Sequence, residues 1–187
     1  MQYQIMQRIN KQLGHSTIVI LPSIFYSQLS VAYRSKTFST PLKALRGSLL
    51  ADLPRFVAFV LNKDHTHWAP CIFSLEDRVV RQGDCLKWSL DKELLAKMQW
   101  LLGDVTKLQA EWTEGKLDVP HQGPRSGSCG VVAFSAIYRF LVTDVTPWSP
   151  DLAAQFRHHW LAELVSHHLK AMKSIQVRTL LFPHDVR

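Results

Sequence analysis

The sequence predicts an α+β domain in which helices flank a central mixed or antiparallel sheet. Three observations carry this. Residues 55–84 hold three β-rich runs, "RFVAFVLN", "HWAPCIFSL" and "RVVRQGD", joined by short polar links, the pattern of a sheet. Segments with helical spacing of apolar residues lie before and after that block. A Gly/Pro/Ser-rich stretch, "DVPHQGPRSGSCG" (118–130), then leads directly into an apolar run of helical spacing, with Cys129 at the junction.

In chain order, "IMQRINKQL" (5–13) places Ile5, Met6, Ile9 and Leu13 on one helical face. "STIVILP" (16–22) is a short β-rich run ended by proline. "PSIFYSQLSVAYR" (22–34) reads as a helix with Pro22 or Ser23 near its start. "KTFSTPLKALRGSLLADLP" (36–54), rich in breakers, reads as loop with one helical turn at most. "SLDKELLAKMQWLLGDV" (89–105) reads as a helix capped by Ser89, with acidic residues in its first turn and Gly103 past its end. "LQAEWTEGKLDVP" (108–120) has room for a further strand. A helix follows from Cys129 to about Leu141. "PDLAAQFRHHWLAELVSHHLKAMK" (150–173) has the spacing of a long amphipathic helix, and the tail beyond it fits no single element. The expectation is one domain over 1–187, with a core of about 5–145 and the C-terminal helix and tail packed on it.

Composition excludes several classes. The chain has 187 residues, 47% hydrophobic, enough for one full core. No 18-residue apolar run occurs, so no transmembrane helix is expected. The N-terminus lacks the apolar stretch of a signal peptide. Three cysteines (Cys71, Cys85, Cys129) with no CxxC pair predict reduced thiols in the nucleus or cytoplasm. The net charge of +7 is spread over "YRSK", "KALR", "RVVR" and "KAMK". That scatter favours general solvation or an acidic protein partner over a nucleic-acid patch. No metal or cofactor is expected: His159 and His167 are more than two helical turns apart, and no cysteine or carboxylate completes a ligand set.

The chemistry centres on Cys129. A thiol attacks as its thiolate, and the unpaired N–H groups of a helix N-terminus favour the anion. Flexible Gly-Ser flanks are not the setting of a core cysteine. A nucleophilic thiol needs a base and the base an orienter. If "HWAPCIFS" and "DRVVRQGD" form a hairpin turning at Leu75-Glu76, His67 falls directly opposite Asp84. If the turn lies at Glu76-Asp77, Asp84 is a diagonal neighbour on the same face. Either places the carboxylate near the imidazole. His65 and His121 are rival bases without an obvious acidic partner. Trp88, Trp100, Trp112, Trp148 and Trp160 read as core or half-buried anchors.

"HW" at 67–68, "GDCL" at 83–86 and "VPHQ…SCG" at 119–130 resemble the ubiquitin-like-protein proteases, the SUMO-protease group related to the adenovirus protease. The order His67, Asp84, Gln122, Cys129 is the family's order. The resemblance spans about residues 5–145 and includes "IVILPSIFYSQLS". It implies a papain-like arrangement in rearranged order, with the catalytic cysteine opening a buried helix. It implies an (iso)peptidase cutting after the Gly-Gly end of a ubiquitin-like modifier. Cys129 would be the nucleophile, His67 the base, Asp84 its orienter and Gln122 an oxyanion donor. Trp68 would wall a channel that admits only glycine. Three departures stand out: a Gln122–Cys129 loop one residue longer, Ser128 in place of the usual Asp, and no Trp-containing motif in the first helix. Two rival functions follow, an inactive protease-fold binding module of a larger or mobile-element protein and a Cys-dependent acyltransferase.

Overall fold

The computed structural model describes residues 18–63, 66–88, 91–103, 111–123, 127–142, 145–163, 165, 166 and 169. The expected helix at 5–13, the Ser89 cap, His65 and the tail lie outside them. The chain divides into two compact units after Pro150. In the second, residues 153–163 are helical, with His158 and His159 exposed.

The first unit is an α+β fold built on a five-stranded mixed sheet. Its elements are β1 (Ile18–Ile20), α1 (Phe25–Ser35), α2 (Thr40–Asp52), β2 (Phe56–Lys63), β3 (His67–Ser74), β4 (Val79–Gln82), α3 (Leu94–Leu102), β5 (Thr113–Lys116) and α4 (Cys129–Leu141). The strands lie in chain order across the sheet. β1 runs parallel to β2, β2–β3–β4 are antiparallel, and β5 is parallel to β4.

β2 and β3 are buried along nearly their whole length rather than at alternate positions. Both faces of the central strands are therefore covered. Val57, Phe59 and Leu61 of β2 join Ala69, Cys71 and Phe73 of β3 in one cluster with apolar residues of α1, α2 and α3. The alternate residues turn the other way, where α4 packs on β3 and β2 and Phe140 meets Phe56 edge-on. Each fully buried large apolar side chain contributes about 1.5–3 kcal/mol by leaving water.

Two helices differ from expectation. Residues 40–52 form a 13-residue helix, not a loop. Pro41 sits at its first positions, where no N–H is needed, and Leu42 and Leu49 bury against the core. The helix at 89–105 begins only at Leu94, without acidic residues in its first turn. Asp91 is engaged elsewhere. It takes the Glu93 N–H at 2.8 Å, binds the Tyr26 hydroxyl and exchanges hydrogen bonds with the Gln82 side chain.

Pro70 lies inside a central strand, normally a forbidden place. Its carbonyl accepts the Gly83 N–H at 3.4 Å, just past the last β3–β4 pair, Cys71↔Gln82. Its nitrogen therefore faces the same side, where the ladder has ended, and no bond to β2 is lost. Having no donor there, Pro70 stops β4 and lets the chain turn at Gly83-Asp84.

Candidate active site

His67 opens β3 and is 1% exposed. The β3–β4 pairs run from Ser74↔Val79 to Cys71↔Gln82, and the hairpin turns over residues 75–78. Of the two alternatives, this is the turn centred on Glu76-Asp77. Extended, it sets Asp84 diagonal to His67 rather than directly opposite. The diagonal is closed because the chain leaves the ladder after Gln82: His67 Nε2 lies 3.0 Å from Asp84 Oδ1.

The Asp84 side chain is only 2% exposed, a costly position for a charge. Burial alone would raise its pKa. The Leu86 N–H at 2.8 Å, the Lys63 ammonium at 3.1 Å and His67 outweigh it and hold the carboxyl below its ordinary value. An ionised carboxylate only accepts, so Nε2 of His67 carries a proton toward it. In the neutral ring Nδ1 then holds the lone pair, ready to take a proton from another group.

The three cysteines differ sharply. Cys71 is fully buried in the sheet, and burial holds its thiol protonated well above the usual range. Cys85 is 1% exposed, and its thiol is pushed up to about 12, chiefly by burial, then by Asp84 and by the Cys129 sulfur. Cys129 is half-buried at the first position of α4. The Ser128 side chain makes no cap hydrogen bond to that helix end. Only Cys129 combines access with a helix N-terminus. Its sulfur lies near enough to Cys85, the residue after Asp84, to help raise that thiol.

The approach to α4 is stitched to the same turn. The Cys85 carbonyl accepts His121 Nδ1–H at 2.7 Å and the Gln122 backbone N–H at 3.2 Å. His121 is thereby tied to a carbonyl rather than to an acid. The Gln122 side chain is buried, and its Oε1 has no partner among the described residues. Gly83 permits this closeness: a Cβ there would stand 2.6 Å from the Leu117 carbonyl oxygen and 2.2 Å from Val119. Gly123 (φ +77°) and Gly127 (φ +59°) bracket the loop in left-handed conformations, and 124–126 between them lie outside the described residues.

Trp68 lies against α4: a Cβ added at Gly130 would touch its indole at 3.7 Å. Trp88 departs from expectation. It is 45% exposed and tilts over the His67 ring with centroids 4.7 Å apart. Trp100 and Trp112 are half-buried against the core, and Trp148 and Trp160 are buried. Lys63 also reaches the site, from a strand position that carries no chemical signature in the sequence. His67, Asp84 and Cys85 bring three possible metal-ligating atoms within 4.8 Å of one another. Lys63 and a backbone N–H already occupy the carboxylate, and a cation there would face the ammonium. The donors present fit hydrogen bonding, not a metal.

No family model and no curated protein matches this sequence. Solved structures do match. The SUMO protease Ulp1, with its catalytic cysteine oxidised to a sulfenic acid, is 20% identical with a TM-score of 0.62, over 83% of this chain and 71% of that one. The C-terminal Ulp1 protease domain in complex with Smt3, the yeast ortholog of SUMO, is 19% identical with a TM-score of 0.58, over 82% and 69%. The Ulp1-like SUMO protease catalytic domain of Chaetomium thermophilum is 17% identical with a TM-score of 0.57, over 82% and 64%. The chain has the SUMO-protease fold. Among the described residues, no helix is long and apolar enough to cross a membrane.

Proposed function

We propose that this protein is a cysteine peptidase acting on a ubiquitin-like modifier, cutting after its Gly-Gly end in a precursor or conjugate. The observation that carries the reading is the buried His67–Asp84 hydrogen bond in a SUMO-protease fold; a half-buried Cys129 at a helix N-terminus, near enough to Cys85 to raise its thiol, supports it.

In this reading His67 Nδ1 takes the Cys129 thiol proton, and the sulfur attacks the carbonyl carbon of the terminal glycine. The imidazolium formed is steadied by Asp84 on its other nitrogen. Negative charge growing on the carbonyl oxygen is met by the Gln122 side-chain amide and the Cys129 backbone N–H. The tetrahedral intermediate collapses to a thioester, and His67 returns its proton to the departing amine. Water, deprotonated by His67, then hydrolyses the thioester and frees the modifier's carboxylate. Trp68 beside Gly130 narrows the approach to residues without side chains.

The test is a panel of ubiquitin and SUMO vinyl-sulfone probes ending in Gly-Gly, read by intact-mass and peptide mass spectrometry. One probe adduct on Cys129, absent from Cys129→Ser, is expected. Silence from the whole panel would overturn the reading and favour a non-catalytic binding module. Acetyl transfer from acetyl-CoA without probe labelling would favour an acyltransferase.

A further inference from the structure

We propose that Lys63 is a positioning residue of this site: its ammonium holds one oxygen of Asp84 so that the other stays on His67. The inference rests on the peptidase reading for its kinetic consequence only.

Lys63 is the last residue of β2 and the direct cross-strand partner of His67. Both side chains reach the same carboxylate, Lys63 Nζ to Oδ2 at 3.1 Å and His67 Nε2 to Oδ1 at 3.0 Å. The Leu86 N–H donates to Oδ1 as well, at 2.8 Å. The carboxylate is thus held at both oxygens from three directions, and its plane is fixed. Asp84 belongs to no strand, so these bonds tie the turn to the β2–β3 ribbon.

The charge balance gives Lys63 a second task. A neutral imidazole does not compensate a buried carboxylate, and His67 must be neutral to act as base. The Asp84 side chain is 2% exposed and that of Lys63 16%. Among the described groups, those facing Asp84 are Lys63 from β2, His67 from β3 and Cys85 from its own turn, with Cys129 of α4 beyond Cys85. Lys63 is the cation among these groups that touches the carboxylate, so it is the standing countercharge. Without it, a lone buried carboxylate would turn toward water or pick up a proton, and either leaves His67 free to rotate.

The test is a double-mutant cycle with a spectroscopic arm. Lys63→Met is expected to lower kcat roughly 10- to 100-fold, the worth of one charge-assisted hydrogen bond, with KM little changed. Lys63→Arg, which keeps the charge, is expected to restore most of it. In an Asp84→Asn background, Lys63→Met is expected to change kcat less than about twofold, because its partner charge is gone. Carboxyl 13C NMR of Asp84 reads the same interaction without substrate: its protonation is expected to move to higher pH in Lys63→Met and to return in Lys63→Arg. Should Lys63→Met fold poorly, Lys63→Gln serves for the same titration. Additive kinetics together with an unmoved Asp84 titration would overturn the proposal. A wild-type protein that takes no probe would instead sink the peptidase reading, and the titration would still decide the role of Lys63.

Discussion

His121 Nδ1 lies 2.7 Å from the carbonyl oxygen of Cys85. That bond joins the loop leading to Cys129 with the turn carrying Asp84, two segments 36 positions apart in sequence. It also separates His121 from His67 as a candidate base. A ring that spends its Nδ1–H on a backbone carbonyl has no carboxylate to stabilise an imidazolium. His121→Ala is therefore expected to cost far less activity than His67→Ala. A larger loss from His121→Ala, by steady-state kinetics on a modifier substrate, would reverse the assignment.

The thiols should be separable by chemistry alone. Cys71 and Cys85 are buried, and burial holds both thiols protonated, whereas Cys129 is half-buried at a helix start. Iodoacetamide at pH 7, followed by peptide mass spectrometry, is expected to modify Cys129 at least tenfold faster than either. Cys129→Ser is expected to abolish turnover. Preferential labelling of Cys85 would move the nucleophile.

Asp84 predicts an acid dependence of stability. Its folded pKa lies below the unfolded value, so its ionised form stabilises the fold. That contribution is fully present above the unfolded value of about 3.9 and is lost as pH falls through the lower folded one. Asp84→Asn removes it. Urea unfolding at stepped pH should show wild type and Asp84→Asn converging as pH drops from 5 toward 2. The variant is also expected to lower kcat at neutral pH. A stability gap that stays constant with pH would contradict the linkage.

Gln122→Ala is expected to lower kcat about 10²- to 10³-fold with little change in KM, as loss of one oxyanion donor typically does. The side chain is buried and its Oε1 has no partner among the described residues, so truncation breaks no hydrogen bond at that oxygen. Near-normal kcat would mean that another group supplies the donor. Deletion of Ser126 is expected to be tolerated if the extra loop residue is slack.

Gly83→Ala should damage the site without touching any reacting group. The new methyl would meet the Leu117 carbonyl oxygen at 2.6 Å, a backbone atom that cannot swing aside. The segment carrying His121 and Gln122 must then move away from Cys85. A fall in kcat with a preserved far-ultraviolet circular dichroism spectrum is expected. Wild-type kinetics would show that the close approach is unnecessary.

Much was legible in the sequence because its causes are local. β-rich runs joined by short polar links marked β2, β3 and β4, and the loop-to-helix junction marked the start of α4 at Cys129. Parity alone put His67 and Asp84 within reach of each other under either two-residue turn. Other features depended on contacts the sequence does not display. Residues 40–52 became helical because Leu42 and Leu49 found a core and Pro41 fell at the helix start, though Pro, Gly and Ser suggest a loop. Asp91 lies outside the first turn of α3, where it binds Tyr26, 65 positions away, and Gln82 of β4. The choice between direct and diagonal pairing of His67 with Asp84 was made by the 75–78 turn and by Pro70 ending the β4 ladder. Lys63 and Trp88 carry no local sign of their place at the site. Only strand pairing brings that ammonium to Asp84, and only the turn after Asp84 lays that indole on His67. Residue types and short-range periodicity determined which groups could do chemistry here, while long-range packing decided which neighbours hold them in position.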